Sequence, residues 1–291
     1  MNYDIIGDIH GYLDALVALL KKLGYSRKGG SWSHPDRQVI FLGDFIDRGP
    51  RQLETITLVR SMMDSGNALS VMGNHEFNAI AWHTPDPENP GEYLRSHDIE
   101  KNKNQHKEFL AQLGGNASLH QEIISWFKTL PLYLDLPGLR AVHACWHPSY
   151  INYLSPFLTP EKQLPDNQLI QATRKPEKAS LDTPEPSLYK AVDALLKGME
   201  APLPEGVSFT DKDGTLRYRT RINWWDPGAT DFRSSDDFGP VFFGHYWFKG
   251  EPGLLTDKAL CLDYSVAKDG FLAAYRWEGE EVLMKEHLFW V

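Results

Sequence analysis

The sequence predicts an α/β fold, because short apolar runs alternate with segments of helical periodicity through its first half. Residues 3–6, 38–42 and 68–72 are strand candidates, and residues 140–142 end another strand. Apolar residues at helical spacing predict a helix over residues 13–23, with Gly24 as its C-cap. A second helix is expected between Pro50 and Gly66. This order is typical of buried, partly parallel strands that are covered by helices.

Two segments interrupt this order. Residues 84–104 are polar and proline-rich, which predicts an irregular loop. Residues 148–235 hold more than half of the 19 prolines and contain helical patches at 161–174 and 187–197. We predict that this segment is a cap or lid inserted into a single domain of residues 1–291, because long irregular insertions usually carry function. After Pro240, apolar runs at 241–243, 259–262, 271–277 and 281–288 predict an antiparallel meander.

The composition excludes several kinds of protein. A formal net charge of −9 leaves no basic footprint for nucleic acid, and no run approaches the roughly 20 apolar residues of a membrane span. Two cysteines, Cys145 and Cys261, among 291 residues do not form a disulfide framework, which favours a reducing compartment. The first residues lack the basic and apolar regions of a signal peptide. We therefore expect a cytoplasmic protein that binds neither membranes nor DNA.

Polar motifs follow five of the apolar runs directly. They are Asp8-Ile9-His10, residues 43–49 (Gly-Asp-Phe-Ile-Asp-Arg-Gly), residues 73–76 (Gly-Asn-His-Glu), His143 and Gly244-His245. The loops at the carboxyl ends of strands in an α/β sheet converge on one rim, which is where ligands bind. We therefore expect these motifs to meet in one pocket.

Six side chains from these motifs have the chemistry of metal ligands: Asp8, His10, Asp44, Asn74, His143 and His245. Carboxylate, amide and imidazole ligands without thiolate suit divalent manganese, iron, zinc, cobalt or nickel, and manganese is the ion we favour. Six ligands exceed what one catalytic ion with an open position needs, so they fit two ions if one carboxylate bridges. We predict Asp44 as the bridge. Asp8 and His10 then complete one site, and the second site takes Asn74, His143 and His245.

Such a pair of ions points to phosphoester hydrolysis. Two ions roughly 3.5–4 Å apart clamp the attacking and leaving oxygens of an in-line displacement and lower the pKa of a bridging water. We predict direct attack of a metal-bridging hydroxide on phosphorus, without a phosphoenzyme. Arg48 can offer a bidentate fork to the phosphate oxygens. His75 is the predicted general acid for the leaving alkoxide, and Asp47 orients it.

The order of these motifs resembles that of the calcineurin-like metallophosphoesterases, and more narrowly the phosphoprotein-phosphatase group. That group includes serine/threonine protein phosphatases and bacterial symmetrical diadenosine-tetraphosphate hydrolases. The resemblance covers residues 4–83 and resumes at 139–147 and 240–277. It implies a sandwich of two sheets flanked by helices, an α/β/β/α arrangement. The chain departs from the pattern at Cys145, where the family has glycine, and at residues 262–266, where the hydrolases carry Asp-Thr-Gly-Cys.

The resemblance also implies a second phosphate-binding arginine ahead of His245. Residues 216–222 alternate, so a single strand would place Arg217, Arg219 and Arg221 on one face. We predict substrate contact by Arg221 or Arg219, with a solvated face paired to acidic groups as the alternative. Trp224 and Trp225 could stack on a nucleobase, or pack in the core. Five histidines in polar or loop contexts are expected on the surface: His34, His83, His97, His106 and His120.

Three functions remain open from the sequence. The first is hydrolysis of a phosphomonoester, with a phosphoprotein or a small phosphorylated metabolite as substrate. The second is hydrolysis of a dinucleoside polyphosphate; the arginines and the tandem tryptophans favour it, and residues 262–266 oppose it. The third is a catalytically silent metal-binding protein. The presence of His75 and Arg48 opposes this third function, because a structural site needs neither a leaving-group acid nor a phosphate fork.

Overall fold

Two β-sheets lie face to face in the computed structural model, which describes residues 2–210, 216–226 and 239–291. The strands are β1 (Asn2–Ile6), β2 (Ser26–Lys28), β3 (Ser31–Ser33), β4 (Arg37–Phe41), β5 (Ala68–Ser70), β6 (Tyr133–Leu136), β7 (Leu139–Val142), β8 (Glu200–Pro202), β9 (Phe209–Thr210), β10 (Leu216–Arg217), β11 (Arg219–Arg221), β12 (Val241–Phe243), β13 (Ala259–Cys261), β14 (Asp263–Tyr264), β15 (Phe271–Trp277) and β16 (Leu288–Trp290). The helices are α1 (Leu13–Lys22), α2 (Gln52–Asp64), α3 (Asn74–His83), α4 (Glu100–Leu113), α5 (Ala117–Phe127), α6 (Pro148–Leu154), α7 (Asp166–Thr173), α8 (Lys178–Leu181) and α9 (Leu188–Lys197). None of the helices in these ranges is both long and apolar enough to cross a membrane.

The strand order places the functional loops of both sheets at one rim. The first sheet runs β14-β15-β1-β4-β5, with β16 also paired to β15. Within it, β1, β4 and β5 are parallel, and β15 is antiparallel to β1. The second sheet runs β13-β12-β7-β6, in which β12 is parallel to both β7 and β13. The predicted strands of the first half of the chain are therefore confirmed, and their carboxyl ends lie side by side.

Successive side chains of each strand point to opposite faces of its sheet, and this alternation separates two apolar layers. Ile5 and Ile40 from the first sheet pack with Phe242 and Leu260 from the second sheet, which forms the core between the sheets. The opposite faces of the same strands belong to the cluster that contains the helices. The expected α/β/β/α sandwich is confirmed by this arrangement.

The chain after Pro240 departs from the predicted antiparallel meander. Strands β12 and β13 pair in parallel, because residues 244–258 return the chain to the starting edge before β13 begins. Both strands are buried along their whole length, as is usual for parallel strands. Among the strands that follow Pro240, the antiparallel pairs are those of β15 with β14 and with β16. The strand predicted at 281–288 is wrong: most of this segment is irregular or forms the short 3-10 turn at Lys285–His287, Val282 is 54% exposed, and β16 begins at its last residue.

The two halves of the segment predicted as a cap, residues 148–235, differ in how they pack. Helices α6, α7 and α9 bury Leu154, Leu169 and Leu195 in the main core, so this half of the segment is continuous with the domain. The alternating stretch at 216–222 is not one strand, because β10 pairs with β9 whereas β11 pairs with β8. The parts of the predicted cap at 211–215 and 227–235 lie outside the described residues.

Asp4 on β1 links the two neighbouring strands β4 and β15, and its replacement should be costly. Its buried carboxylate accepts hydrogen bonds from Arg37 Nε at 3.1 Å and from Arg276 Nε at 2.9 Å. We expect Asp4→Ala to lower the free energy of unfolding by about 3–5 kcal/mol, because the buried Arg37 guanidinium loses its buried carboxylate partner and keeps only the exposed Glu278 as a counter-charge. Urea denaturation measures the change.

The matched control is Arg60→Ala, which removes an exposed ion pair with Glu122. This control should shift the denaturation midpoint by only a small fraction of the shift in Asp4→Ala. Equal shifts for the two variants would contradict the structural role given to Asp4.

Candidate active site

The six predicted metal ligands all lie at strand ends and meet at one rim. Asp8 and His10 follow β1, Asp44 follows β4, and Asn74 begins α3 just after β5. From the second sheet, His143 follows β7 and His245 follows β12. All six residues are buried, with at most 6% of their surface exposed. The parallel strands of the two sheets thus bring motifs that are distant in the sequence together in one cluster.

Asp44 lies at the centre of this cluster. Its Oδ1 accepts a hydrogen bond from the backbone N–H of His75 at 3.0 Å, and His143 Nε2 lies 3.4 Å from the same oxygen. Its Oδ2 lies 3.7 Å from His10 Nε2 and 3.8 Å from His75 Nε2. Two groups with the spacing of metal ligands therefore share this carboxylate: one is His10, Asp44 and His75, and the other is Asp44, His143 and His245.

The imidazole orientations fit metal binding. His10 Nδ1 lies 2.9 Å from the Ile46 carbonyl oxygen, and His143 Nδ1 lies 2.7 Å from the Leu42 carbonyl oxygen. A carbonyl only accepts, so each Nδ1 carries the proton and each Nε2 offers a lone pair to the centre, as in second-shell support of metal sites. Across the part of the chain that is described, buried His10 Nε2 has no hydrogen-bond partner. Such an orphaned lone pair is what a cation would satisfy.

The second group is completed by an amide oxygen. Asn74 Oδ1 lies 3.1 Å from His143 Nε2 and 2.6 Å from His245 Nδ1. Together with Asp44, these residues form an oxygen and imidazole donor set without thiolate, which suits a divalent transition metal. The residues present therefore fit two ions that share one carboxylate.

Asp8 lies beside this centre and belongs to neither of the two three-residue groups. Its Oδ2 accepts a hydrogen bond from the backbone N–H of His245 at 3.1 Å. Burial, and then the charges of Asp263 and Asp44, raise the pKa of Asp8. In the first group His75, which we predicted as the general acid, occupies the place expected for Asp8.

The electrostatics of the centre favour a neutral His10 beside a charged Asp44, although the charge of Asp44 raises the pKa of His75 and of His143 against the effect of their burial. Burial, and then the neighbouring His75, lower the pKa of His10 to about 3. Burial would raise the pKa of Asp44, but His143 and His75 hold it well below its usual value. A neutral imidazole and an ionised carboxylate are the forms that bind a metal ion.

His75 and Asp47 form the predicted pair, and a third residue joins them. His75 Nδ1 lies 2.5 Å from Asp47 Oδ2, while His106 Nδ1 lies 2.9 Å from Asp47 Oδ1. Burial acts to raise the pKa of Asp47, but these hydrogen bonds from His106 and His75 hold it at about 2. The prediction that His106 lies on the surface is wrong, because α4 turns this ring inward and leaves it 3% exposed. The other four histidines expected on the surface are partly exposed.

An open cleft of about 710 Å³ leads to the buried centre. Its walls carry seven cationic residues: Arg48, Arg95, Lys101, Lys197, Arg217, Arg219 and Arg221. Arg48 reaches the cleft from a backbone with φ of 87°, and its guanidinium lies 4.4 Å from the ring centroid of Trp247. This local concentration of positive charge contrasts with the formal charge of −9 on the whole chain.

The two candidate phosphate arginines differ in their surroundings. Arg219 is partly buried, forms an ion pair with Asp182 and donates to the Glu200 carbonyl oxygen at 2.6 Å. Arg221 is exposed in the cleft, and its guanidinium lies 5.9 Å from the ring centroid of Tyr246. Arg221 is therefore better placed than Arg219 to meet an incoming anion.

The tandem tryptophans do not form a nucleobase platform. Trp224 and Trp225 are 1% and 5% exposed and pack against Phe243. Trp224 Nε1 also donates a hydrogen bond to the Ala144 carbonyl oxygen at 2.9 Å. Of the two alternatives that the sequence left open, core packing is confirmed, because both rings fill the core beneath the second sheet.

Two carboxylates that support the site were not predicted as functional. Glu76 accepts the backbone N–H groups of Asp44 and Phe45, each at 2.8 Å, and so fixes the turn after β4. Part of the signal was present, since a glutamate three residues after the N-cap Gly73 is the acceptor half of a capping box, and Glu76 accepts the Gly73 N–H at 3.0 Å. Asp263 accepts the backbone N–H of Trp247 at 2.7 Å, and thereby holds the loop that follows His245.

The fold and these ligands define a metal-dependent phosphoesterase, a hydrolase. Residues 1–184 match the family model described as calcineurin-like phosphoesterase, so the chain belongs to that family. The asymmetrical bis(5'-nucleosyl)-tetraphosphatase PrpE of Halalkalibacterium halodurans is 53% identical over 76 residues, which are 26% of this chain and 31% of the relative. PrpE of Oceanobacillus iheyensis is 31% identical over 145 residues, which are 50% of this chain and 55% of the relative. The chain thus matches between a third and about half of the length of these relatives.

Solved structures share the fold at low sequence identity. A protein serine/threonine phosphatase from Saccharomyces cerevisiae, with similarity to human phosphatase PP5, is 14% identical with a TM-score of 0.54 and covers 100% of this chain and 79% of its own. The cold-active protein-tyrosine phosphatase of a psychrophile Shewanella species is 18% identical with a TM-score of 0.53, covering 97% of this chain and 80% of its own. These similarities support the two-sheet architecture.

Gly244 is required by the packing of Asp8. A side chain at Gly244 would overlap Asp8 Oδ1, whereas a side chain at Gly253 would meet no neighbouring atom within 4 Å in the described structure. We expect Gly244→Ala to displace Asp8 and weaken divalent-metal binding by about 10- to 100-fold, while Gly253→Ala retains it. Equilibrium dialysis with Mn²⁺ measures both. Unchanged affinity in Gly244→Ala would contradict the placement of Asp8 beside the centre.

Proposed function

We propose that the chain hydrolyses phosphomonoesters with two divalent metal ions that share Asp44. The observation that carries this proposal is the position of this one buried carboxylate within both ligand groups, at the floor of the cationic cleft. His10 would complete the first site together with Asp8, and Asn74 with the two remaining histidines, His143 and His245, the second. Manganese is the ion to test first.

The protein residues have separate tasks in this reaction. When bound, the two ions supply the nucleophile by lowering the pKa of water and neutralise developing charge on the phosphate. Arg48 binds the phosphate oxygens, and its stacking on Trp247 restricts the directions in which the guanidinium can point. His75 donates a proton from Nε2 to the leaving oxygen, which departs as an alcohol. Asp47 holds His75 through Nδ1 and keeps this orientation.

The first candidate substrate is a phosphoprotein or a small phosphorylated metabolite, because the cleft of about 710 Å³ is open to solvent. A second candidate substrate is a dinucleoside polyphosphate, and two observations favour it: cations extend along the walls beyond Arg48, and the named relatives are bis(5'-nucleosyl)-tetraphosphatases. The burial of both tryptophans removes one feature that favoured nucleotides. A catalytically silent metal-binding protein is the least supported candidate, because it would need neither the His75–Asp47 pair nor Arg48.

Substitution of Asp44, the shared ligand, and of His75, the proposed general acid, should have different effects on metal binding and turnover. Asp44→Asn should lower both metal stoichiometry and turnover of 4-nitrophenyl phosphate, because both ions depend on this carboxylate. His75→Asn should retain two bound ions but lower turnover, most strongly for substrates with poor leaving groups, by about 10²–10⁴-fold. Chelator-stripped protein reloaded with Mn²⁺ provides both measurements.

Other results for metal binding and turnover would change the roles that we propose for these residues. Loss of one ion in His75→Asn would make His75 a ligand, as its place in the first group allows. Two bound ions in the wild-type protein without turnover of any phosphoester would overturn the proposed catalysis.

Arg221 and Arg219 provide a matched pair for the substrate. We expect Arg221→Ala to lower kcat/KM by about 10-fold or more, since a charge-assisted hydrogen bond contributes about 1.5–3 kcal/mol. Arg219→Ala should affect thermal stability more than kcat/KM, because Arg219 is already paired with Asp182. Rates on a phosphoserine peptide and on diadenosine tetraphosphate should be compared for both variants. Faster wild-type turnover of diadenosine tetraphosphate would reverse the order of the two candidate substrates.

A further inference from the structure

Asp47 is shared by two imidazoles, one on each carboxylate oxygen. Oδ2 faces His75 Nδ1 at 2.5 Å, and Oδ1 faces His106 Nδ1 at 2.9 Å. An ionised carboxylate only accepts hydrogen bonds, so both Nδ1 atoms carry a proton. Rotation of the carboxylate about its last torsion would break both bonds together. His106 therefore restricts the same group that orients His75.

His106 occupies a position where an apolar side chain would otherwise fit. Its ring packs beside Trp82 and Phe109, with centroid distances of 5.6 and 5.0 Å. Its buried Nε2 has no hydrogen-bond partner among the described residues. An unsatisfied buried nitrogen destabilises a fold, and a leucine or phenylalanine would avoid it. The polar contact that histidine provides here is the one to Asp47.

Helix α4 also reaches the other side of His75. Gln105, the residue before His106, places its Nε2 3.4 Å from His75 Nε2. Arg95 in turn donates to Gln105 Oε1 at 2.7 Å, which fixes that amide. The helix therefore contacts both members of the His75–Asp47 pair, and the amide N–H of Gln105 faces the Nε2 lone pair of the neutral ring, because a protonated Nε2 would not accept it.

We propose that His106 is a positioning residue for the reaction: it locks the Asp47 carboxylate so that His75 Nε2 points at the leaving oxygen. In the step that this assists, the bond from phosphorus to the leaving oxygen breaks and the proton on His75 Nε2 moves to that oxygen. The inference rests on the proposed function, and specifically on His75 as the general acid.

Two variants separate positioning from packing. His106→Leu fills the space without a donor, whereas His106→Asn keeps an N–H close to the place of Nδ1. The kinetic constants kcat and KM are measured with Mn²⁺ on aryl phosphates whose leaving groups range from 4-nitrophenol to weakly acidic phenols. We expect His106→Leu to lose on the order of 10-fold in kcat for the least acidic leaving groups and little for 4-nitrophenyl phosphate. KM and metal stoichiometry should be unchanged, and His106→Asn should recover most of the loss.

A uniform loss across all leaving groups, with His106→Asn no better than His106→Leu, would overturn the inference and leave only a packing role. If His106→Leu does not fold, as judged by its thermal melt, His106→Asn is compared with His106→Gln, whose amide lies one bond farther out. Equal dependence on the leaving group in these two variants would also overturn it. Wild-type protein without metal-dependent turnover of any aryl phosphate would instead refute the proposed function, and the inference with it.

Discussion

The burial of the Asp44 carboxylate is the constraint on which the rest of the active site depends. A charged group that is 1% exposed is costly unless its surroundings compensate it. The turn that presents it has a positive φ of 53°, and Glu76 holds this turn by accepting the Asp44 N–H. Gly73 leaves room for the carboxylate, since a side chain there would overlap it. Strand β4, the start of α3 and the end of β7, which carries His143, are therefore fixed together by one side chain.

Negative charge is concentrated around that constraint. Burial and then Asp44 raise the pKa of Glu76 to about 7, and burial also raises the pKa of Asp263. Asp8 responds in the same direction, whereas Asp44 alone among these four carboxylates has a pKa held well below its usual value. A site that gathers buried carboxylates in this way is offset most effectively by divalent cations, which are the largest local charges a site can hold. The support residues and the proposed ions thus answer the same electrostatic problem.

The sequence predicted those parts of the site that are determined by strand ends. A residue that follows a buried strand has its position set by the sheet, and all six predicted ligands lie at such strand ends and are buried. The errors involve residues placed by tertiary packing instead. In the polar helix α4 only His106, Phe109 and Leu113 are buried, and this narrow helical stripe is hidden when histidine is counted as polar. For Trp224 and Trp225 the sequence left core packing and base stacking open, and only the packing against Phe243 decides for the core.

The floor and the walls of the cleft have different origins, and this separates the reaction from its substrate. The floor consists of strand-end residues around Asp44, which in the proposed reaction act on a phosphorus and its immediate oxygens. The walls come from α4, from the loop that precedes it, and from the strands β8, β9, β10 and β11. In the loop before α4, Arg95 is fixed by Asn78 and Gln105. A metal centre of this kind does not contact groups far beyond the leaving oxygen. Substrate choice therefore follows from the wall side chains, and similarity to a relative over a third or half of its length supports the reaction type more strongly than the substrate.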